Sequence, residues 1–263
     1  MLILLPPSEA KSAPVTSLPS ALSFDELSAV RQRVRRALIK MSSGNQARAS
    51  KALGLGHTQL DQLAMNAKLD TAACGPAIDV YSGVVFEALA ADSMTLIQRK
   101  RMHDHVVIAT GLYGLVRPLD SIAPYRLSAN SKVTGLPTLP SLWRKPIARI
   151  LESSGGPILD LRSQAYVTLA PIPRDCLSRS ISVRVLQEQD GKRSVVSHFN
   201  KATKGALVGA LIRKGELPAS LPVLLKQLRV LGYECELQEL PNAAARLDII
   251  THYTPGKVST SRK

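Results

Sequence analysis

Residues 111–127, with the sequence GLYGLVRPLDSIAPYRL, restrict the possible folds of this chain more than any other stretch. They follow residues 106–109, a short apolar run of mostly β-branched side chains that predicts a buried strand. Gly111 and Gly114 predict that the chain turns sharply where this strand ends. Open α/β sheets bind their ligands beyond such strand ends. The sequence therefore predicts an α/β fold with a candidate site at this edge of the sheet.

The same segment carries planar polar side chains that suit an anion site. Arg117 and Arg126 present guanidinium groups, whose geometry matches phosphate or carboxylate. Tyr113 and Tyr125 add aromatic faces and hydroxyl groups. Because so many polar groups beside a buried strand are costly unless they have partners, the cluster favours a ligand site. A structural turn held by an ion pair between Arg117 and Asp120 is the alternative.

Two other apolar runs are also followed by polar loops. Residues 1–5 predict a first, central strand, and Lys11 lies in the loop that follows it. Residues 157–161 predict a buried strand that leads to Ser163 and Tyr166. If these strands are parallel, their loops meet at one edge of the sheet, and we expect their side chains to converge on one pocket. The Lys11 loop lacks the glycines of a P-loop, and a solvated lysine is the alternative.

A turn at Tyr81, Ser82 and Gly83 separates a predicted strand from a predicted helix within residues 78–89. Glycine accepts backbone conformations that other residues avoid, so the turn can direct N–H groups at an anion. We therefore include these three residues among the candidates for anion binding.

Asn200 is the expected N-cap of a helix with the sequence NKATKGALVGALIRK. Lys201 and Lys204 then fall in the first turn, where the helix dipole disfavours cations. An anion held between the two lysines and the helix N–H groups would reverse that cost. Two surface lysines without a ligand are the alternative.

Residues 24–42 predict an amphipathic helix, with Ser23 as its N-cap and Glu26 as the capping-box partner. Apolar side chains recur along one side of this helix. Arg31 and the other basic side chains are expected to form a solvated face.

Residues 45–68 predict two short helices that meet at Gly54 and Gly56. Glycines there allow close backbone approach, and the N–H groups at the start of the second helix can face a phosphate, as in a helix-hairpin-helix element. Lys51 adds a positive charge. A plain turn between two helices, with a glycine C-cap, is the alternative.

Length and charge bound the remaining possibilities. A chain of 263 residues with 45% hydrophobic side chains can form one large domain, which we expect to span residues 1–253. Residues 254–263 are basic and small, and we expect a flexible tail. The net charge of +14 favours a polyanionic partner, either DNA or a nucleotide-like anion.

Cysteine, histidine and apolar patterning argue against several other classes. Cys74, Cys176 and Cys235 are odd in number and far apart, which fits a reducing cytoplasm rather than a disulfide framework. The five histidines are scattered, so neither a metal site nor a cofactor is expected. The first residues predict a core strand rather than a signal peptide, and no apolar run approaches the roughly 20 residues of a membrane span.

The rest of the chain predicts ordinary secondary structure. A helix is expected from Ser141, with Trp143 in the core. Further predicted elements are a helix at 94–103, a hairpin of residues 181–187 and 193–199 across Asp190-Gly191, a helix at 221–232, and strands at 233–240 and 246–253.

Taken together, these motifs resemble those of the YaaA peroxide-stress protein family, close to its actinobacterial branch. The resemblance runs nearly end to end and rests on PPSEAK, YSGVVFEAL, GLYGLVRPLDSIAPYRL, LWR, LDLRSQAY and SHFNKATKGALVGALI. It implies a single α/β domain, with a mixed β-sheet flanked by helices and an inserted helix-hairpin-helix. It also implies a cytoplasmic protein linked to survival of hydrogen peroxide, to less unincorporated iron, and to binding of double-stranded or distorted DNA.

By motif match, the resemblance implies a basic cleft lined by Lys11, Tyr81, Ser82, Gly83, Tyr113, Arg117, Asp120, Tyr125, Arg126, Ser163, Tyr166, Asn200, Lys201 and Lys204. The match at Gly54 and Gly56 is looser. Ser12 stands where other members of the family often have Thr, which is a small departure.

Three functions are compatible with these residues. The first is a DNA-binding stress protein that shields DNA from iron-driven radicals and whose affinity falls steeply with salt. The second is an enzyme that acts on a nucleotide, nucleoside or nucleobase in the same cleft, with Lys11 or Asp120 as general acid or base. The third is a cleft that only stabilises the fold.

Overall fold

A central mixed β-sheet organises the computed structural model, which describes residues 1–14, 17, 20–195, 197–241 and 243–252. The strands of these residues are β1 (Leu2–Leu5), β2 (Gly75–Pro76), β3 (Val106–Thr110), β4 (Gly114–Val116), β5 (Ser121–Ile122), β6 (Ile158–Asp160), β7 (Ser180–Gln189), β8 (Lys192–Ser194), β9 (Glu234–Gln238) and β10 (Ala245–His252). The order across the sheet is β4-β3-β1-β6-β7-β10-β9, and β8 pairs with β7. Strands β2 and β5 form a separate pair.

Strand directions make the sheet mixed. The five inner strands β3, β1, β6, β7 and β10 run parallel to one another. The outer strands β4 and β9, together with β8, pair antiparallel. Helices flank this sheet within a single domain, so the α/β fold class predicted from the sequence is confirmed.

Helices occupy most of the described chain between the strands. They are α1 (Ser28–Ser42), α2 (Gln46–Leu53), α3 (Asp61–Ala67), α4 (Ala77–Val80), α5 (Val84–Leu89), α6 (Leu96–His105), α7 (Leu139–Ser153), α8 (Gln164–Leu169), α9 (Ser197–Lys214) and α10 (Leu221–Val230). Short 3-10 turns precede α1 at Asp25–Leu27 and α3 at His57–Gln59, and two more lie at Ala91–Ser93 and Arg174–Arg179. Within the described ranges, none of the helices combines the length and apolar character needed to cross a membrane.

Strands β1, β3 and β6 are buried along their whole length. A strand that is covered on both faces reads as a continuous apolar run, and the sequence has such runs at 1–5, 106–109 and 157–161. These three predicted strands are confirmed. The predicted elements near the end of the chain are also present, as the β7–β8 hairpin, α10, β9 and β10. The tail at 254–263 lies outside the described residues.

The turn after β3 depends on two contacts with Trp143. The indole ring of Trp143 is fully buried, and its Nε1 donates a hydrogen bond to the carbonyl of Gly111 over 2.9 Å. Gly114 has a positive φ of 74°, and a Cβ atom there would lie 2.6 Å from the Trp143 ring. The prediction of Trp143 as a core residue is therefore confirmed, and Gly114 is required by both its backbone and its surroundings.

The start of α1 differs from the prediction. Ser23 does not cap the helix, because its Oγ donates to Asp120 over 2.7 Å and its N–H donates to the same carboxylate over 3.0 Å. Arg31 is buried rather than solvated. Its guanidinium donates to four backbone carbonyls, those of Ser23, Phe24, Tyr113 and Leu115. Burial lowers the pKa of Arg31.

Three further local predictions are wrong. Residues 77–80 form a helical turn rather than a strand, because their N–H groups at 77 and 78 bond to the loop at 118–120 instead of to a strand. Helix α9 begins at Ser197, so Asn200 is not its N-cap. Lys201 and Lys204 consequently lie beyond the first turn. Strand β8 ends early, at Ser194, because it pairs only with the last residues of β7.

The helical segment at 45–68 contains a glycine-capped turn. Gly54 ends α2 in the left-handed conformation with a φ of 67°. The N–H groups of Gly54, Leu55 and Gly56 donate to the Lys51 carbonyl, the Ser50 carbonyl and the Gln59 side chain. These three groups are thus bonded within the turn itself, and the helix-hairpin-helix element stays a prediction.

Candidate functional site

The loops after β1, β3 and β6 open at the same edge of the sheet. Strand β1 lies between β3 and β6 and is parallel to both, so the chain moves first to one side of β1 and then to the other. Such a switch point leaves a crevice beyond the carboxyl end of the central strand, where open α/β sheets bind ligands. Lys11, the 111–127 segment and Ser163 all come from these loops.

Two adjoining hollows fill this crevice, and we call them together the Lys11 cleft. The smaller hollow, of about 10 Å³, is lined by Lys11, Tyr125 and Arg126, among others. The larger hollow has a volume of about 640 Å³ and reaches Gly83, Ser163, Asn200, Lys201 and Lys204. Both are lined by Pro7, Ser8, Glu9, Ser128 and Tyr166. A hollow of this size lies within the range of small-molecule sites.

Lys11 lines the smaller hollow, where two backbone carbonyls hold its amine. Its Nζ donates to the carbonyls of Ser8 over 2.8 Å and Glu9 over 3.3 Å. The same atom lies 4.3 Å from the ring centroid of Tyr125 and 5.3 Å from that of Tyr81. Burial, with a smaller contribution from the nearby Arg126 charge, lowers the pKa of Lys11 to about 7. An amine with this pKa can accept or donate a proton near neutral pH.

Three tyrosines that pack against one another lie behind Lys11. The hydroxyl groups of Tyr81 and Tyr125 share a hydrogen bond of 2.9 Å, and their rings meet edge to face. Tyr113 packs edge to face against the other side of Tyr125 and donates its hydroxyl to the Ala123 carbonyl. Burial raises the pKa of all three hydroxyls, so they remain neutral near pH 7.

Arg126 is the most enclosed cation of the cleft, with 8% of its surface exposed. Its Nη1 lies 2.9 Å from the Glu9 carboxylate, while its Nε is buried without a hydrogen-bond partner among the described residues. The backbone of Arg126 is clamped by the buried side chain of Asn66, which donates to its carbonyl and accepts from its N–H. Helix α3 therefore fixes the backbone from which the Arg126 side chain extends.

The larger hollow brings together side chains from α8 and α9. The half-buried Lys204 donates to the Leu161 carbonyl over 3.2 Å, and burial lowers its pKa. Lys201 is exposed, and the Asn200 Oδ1 is buried without a partner among the described residues. Ser163 precedes α8, but its side chain makes no capping hydrogen bond. Burial also raises the pKa of Tyr166.

The Tyr81–Gly83 turn shapes the cleft through its backbone. Lys11 and Tyr81 form an antiparallel bridge, and the N–H of Ser82 donates to the Ala10 carbonyl over 3.2 Å. This N–H is therefore already bonded within the protein. Gly83 lines the larger hollow with a φ of 97°, and a Cβ there would lie 3.0 Å from the Ser8 Oγ.

The structure places Arg117 and Asp120 outside the cleft. The Arg117 guanidinium donates to the carbonyls of His103 and Asp104, and lies 5.1 Å from the centroid of the Phe24 ring. The buried Asp120 accepts from the N–H of Arg117 and from two groups of Ser23. Asp120 thus holds the turn by accepting from the Arg117 and Ser23 N–H groups and the Ser23 hydroxyl. The alternative of an ion pair between the Arg117 and Asp120 side chains is not what the structure shows. Asp120 has no access to a ligand in the cleft.

Three other predicted residues stand apart from the cleft surface. Tyr113 lies behind Tyr125 and borders a separate hollow of about 330 Å³ beside Arg31. Gly54 and Gly56 line neither part of the Lys11 cleft. The remaining candidates, from Lys11 to Lys204, line the cleft or pack directly against it.

Sequence reasoning missed four residues that shape the site. Glu9 had a signal, because it lies in the PPSEAK motif two residues before Lys11. Asn66 had none, since its partner Arg126 is 60 residues away. The other two are Arg162 and Asp160, which form a buried ion pair of 2.7 Å. Arg162 also donates to the carbonyls of Tyr166 and Ala170, and these bonds position α8.

No group of three or more His, Cys, Asp or Glu side chains lies close enough to hold a metal ion in the described part of the chain. The cationic character of the cleft is suited instead to an anionic ligand.

Comparison with known proteins identifies a family model and several relatives. A family model described as peroxide stress protein YaaA matches residues 1–239, which include all of the residues above. A UPF0246 protein of Streptomyces coelicolor is 38% identical over 260 residues, which cover 96% of this chain and 99% of the relative. One of Corynebacterium efficiens is 39% identical over 221 residues, covering 80% and 84%. One of Rickettsia felis is 29% identical over 163 residues, covering 60% and 64%.

Proposed function

Since the chain belongs to the peroxide stress protein YaaA family, we propose that it acts in the response to hydrogen peroxide by binding a phosphate-bearing ligand in the Lys11 cleft. One observation carries this proposal. Lys11, Arg126 and Lys204, from three distant parts of the chain, line two hollows that share five residues at the switch point of the sheet. Glu9, which is paired with Arg126, is the one carboxylate in an ion pair with these three cations among the described residues. Partly buried cations in excess of their carboxylate partners are costly, and a bound anion reduces that cost.

DNA is the first candidate for this ligand, because a net charge of +14 favours a polyanion. A crevice of about 640 Å³ holds about one nucleotide and excludes an intact duplex. The DNA would therefore present a strand end or an unstacked nucleotide, as distorted DNA does. Bound protein would shield that site from iron-driven radicals. The N–H groups of Gly54, Leu55 and Gly56 are already bonded, so a contact of DNA with this turn would use the N–H groups that follow them at the start of the next helical segment.

A second candidate function is catalysis on a nucleotide, nucleoside or nucleobase in the same cleft. The observation that favours it is Lys11, whose pKa of about 7 suits a general acid or base at neutral pH. Asp120 is excluded from this role by its position. The free Cys74, Cys176 and Cys235 fit the reducing cytoplasm, where we propose that the protein works.

Competition binding separates these possibilities. We expect a duplex with one unpaired nucleotide to bind more tightly than the fully paired duplex, with an affinity that falls steeply with salt. Mononucleotides should displace the duplex with the unpaired nucleotide, and the affinity of the mononucleotides themselves should depend less on salt. If mononucleotides bind but DNA does not, the enzyme is favoured, and analysis of the nucleotide after incubation tests for turnover. If no phosphate compound binds, the proposed function is wrong.

Phosphate binding is expected to weaken as the pH rises above about 7. The groups that face Lys11 are Arg126, Glu9 and the neutral tyrosines 81 and 125. A bound anion raises the pKa of Lys11, so the complex holds more protons than the free protein. Affinity is then full below the pKa of Lys11 in the free protein. It falls as the pH rises from that pKa to the higher pKa of Lys11 in the complex, by about tenfold for each pH unit between the two. Titration calorimetry from pH 6.5 to 9 measures this loss.

The matched variant is Lys11→Met, which should bind more weakly and lose the part of the pH dependence that comes from Lys11. The part that remains is expected from Lys204, whose pKa burial also lowers. A wild-type affinity that stays constant from pH 6.5 to 9 would show that Lys11 does not contact the anion.

A further inference from the structure

One face of helix α1 carries three exposed cations that line neither part of the Lys11 cleft. Arg33, Arg36 and Lys40 are spaced three and four residues apart, so they lie on one side of the helix, within about 60° of one another. None of the three has a carboxylate within ion-pair distance among the described residues. This face of α1 therefore holds positive charge that the protein does not neutralise by pairing.

The three cations border an open groove, which we call the α1 groove. It has a volume of about 470 Å³ and lies between α1 and the loop that contains Gly135 and Leu136. The rest of its lining comes from Ala29, Gln32 and Ala37, and no acidic side chain of the described residues lines it. Because the alanines and the glycine are short, the backbone of a ligand can lie close to the helix between the cations.

The sequence around this face adds to the positive field. Residues 28–60 contain no aspartate or glutamate and seven basic residues, which are Arg31, Arg33, Arg35, Arg36, Lys40, Arg48 and Lys51. Arg31 is buried against backbone carbonyls, and Arg35 pairs with Asp70 over 2.9 Å. The other five are exposed. Like charges at this density repel one another, and a polyanion laid along them would relieve that repulsion.

Residues 128–136 connect the α1 groove to the Lys11 cleft. Asn130 lines the larger hollow of the cleft, and Gly135 lines the α1 groove. These two residues are five positions apart, so their backbones lie at most about 18 Å from each other. Lys132 is exposed between them, and its N–H donates to the Ala52 carbonyl of α2 over 3.3 Å. A DNA strand, with one phosphate per about 3.4 Å of axis, covers this distance with about five nucleotides.

A phosphate backbone suits this surface better than a lipid bilayer does. A helix that lies on a membrane inserts large apolar side chains beside its basic ones. On α1 the large apolar side chains of Val34, Leu38 and Met41 are buried in the core, and the exposed large apolar residues of the described chain all lie outside residues 28–60. The surface thus offers charge without an apolar anchor, as contacts to DNA phosphates require.

From these observations we infer that the α1 groove is a second DNA-binding surface, which holds the phosphate backbone of a duplex next to the nucleotide that enters the Lys11 cleft. The inference rests on the proposed function for its choice of ligand and adds a separate surface to it. The cations from Arg33 to Lys40 span about 10 Å of helix axis, enough to neutralise two or three phosphates of one strand. Such contacts position the duplex and carry no preference for its sequence.

The test uses the triple variant Arg33→Gln/Arg36→Gln/Lys40→Gln and a duplex with one unpaired nucleotide, titrated at several salt concentrations. Glutamine removes the charge and keeps the helix propensity. We expect the affinity at about 0.1 M salt to fall by about a hundredfold, and the slope of log affinity against log salt to lose about 2–3, because each lost phosphate contact removes about 0.9. Binding of a mononucleotide in the cleft should stay within about twofold of wild type, since the lost charges are screened from it.

The matched control is Lys214→Gln/Lys226→Gln/Arg229→Gln, which removes the same net charge from exposed positions on α9 and α10. It should keep the wild-type salt slope and an affinity within about threefold of wild type, as expected for screened charges away from the ligand. Circular dichroism of both variants checks that each retains the fold.

The inference is overturned if the α1 variant keeps the wild-type salt slope, or if it and the control lose affinity equally, which would show an effect of net charge alone. It is also overturned if the α1 variant binds the DNA normally but loses affinity for duplex RNA of the same sequence, or for vesicles of phosphatidylserine and phosphatidylcholine. In each of these cases mononucleotide binding in the Lys11 cleft survives. The proposed function itself fails only if the wild-type protein binds no phosphate compound.

Discussion

Arg126→Met is expected to reduce the affinity for phosphate ligands by about a hundredfold, because loss of a buried, hydrogen-bonded charge at a binding site typically costs about 2–5 kcal/mol. The fold should survive this change. Asn66 holds the Arg126 backbone rather than its side chain, and the released Glu9 is already exposed. Affinity measured by calorimetry and unfolding measured by circular dichroism separate the two effects.

The same variant should alter Lys11 in a way that a structural defect would not. The Arg126 charge contributes to the lowered pKa of Lys11, so its removal should raise that pKa. Any residual binding should then persist to higher pH than in the wild type. The control is Arg117→Met, which removes the same charge outside the cleft and should leave affinity within about twofold of wild type, as expected for a screened distant charge. Equal losses in both variants would show that only net charge matters.

Gly205→Ala is expected to destabilise the protein by about 2–4 kcal/mol, the range of severe overpacking. A Cβ atom at Gly205 would lie 2.1 Å from the carbonyl oxygen of Val85, so α9 would have to move away from α5. In an isolated helix the same change would stabilise the helix by about 1 kcal/mol. A loss of stability in the protein would therefore come from the contact of the added methyl group with α5. Thermal unfolding should show a fall in Tm of about 5–15 °C for a domain of this size.

This change should also weaken ligand binding, because α9 carries Lys204 into the cleft. The control is Ala206→Gly, at the exposed neighbouring position, which should cost only the helix propensity of about 1 kcal/mol. If Gly205→Ala raised Tm instead, the close approach of α9 to α5 would be wrong, and the position of Lys204 with it.

The strands of the sheet were predictable because their signal is local. Residues 1–5, 106–109 and 157–161 are short apolar runs that end in polar loops, and the parallel sheet brings those loops to one edge. Most of the candidates for the cleft were found in this way, including Lys11, Arg126 and Ser163. Their roles in binding remain predictions.

Other predictions failed where a distant residue competes with a local signal. Ser23 has the right type and place for an N-cap, but Asp120, 97 residues away, binds both its N–H and its hydroxyl. Arg31 lies on the polar side of a helical pattern, yet it bonds to carbonyls more than 80 residues away. Asn200 was expected to begin α9, but the helix already begins at Ser197.

The amino-acid sequence by itself determined the α/β class, the strands of the sheet and the loops that carry the candidate cations, because hydrophobic periodicity and turn residues act over a few neighbouring positions. Only the tertiary structure decided which of those cations face one cleft. It enclosed Arg126 against Glu9 and Asn66 and turned Arg117 toward the carbonyls of α6. The physical reason is that burial and hydrogen bonding between distant segments depend on how the sheet and helices pack, which no local pattern contains.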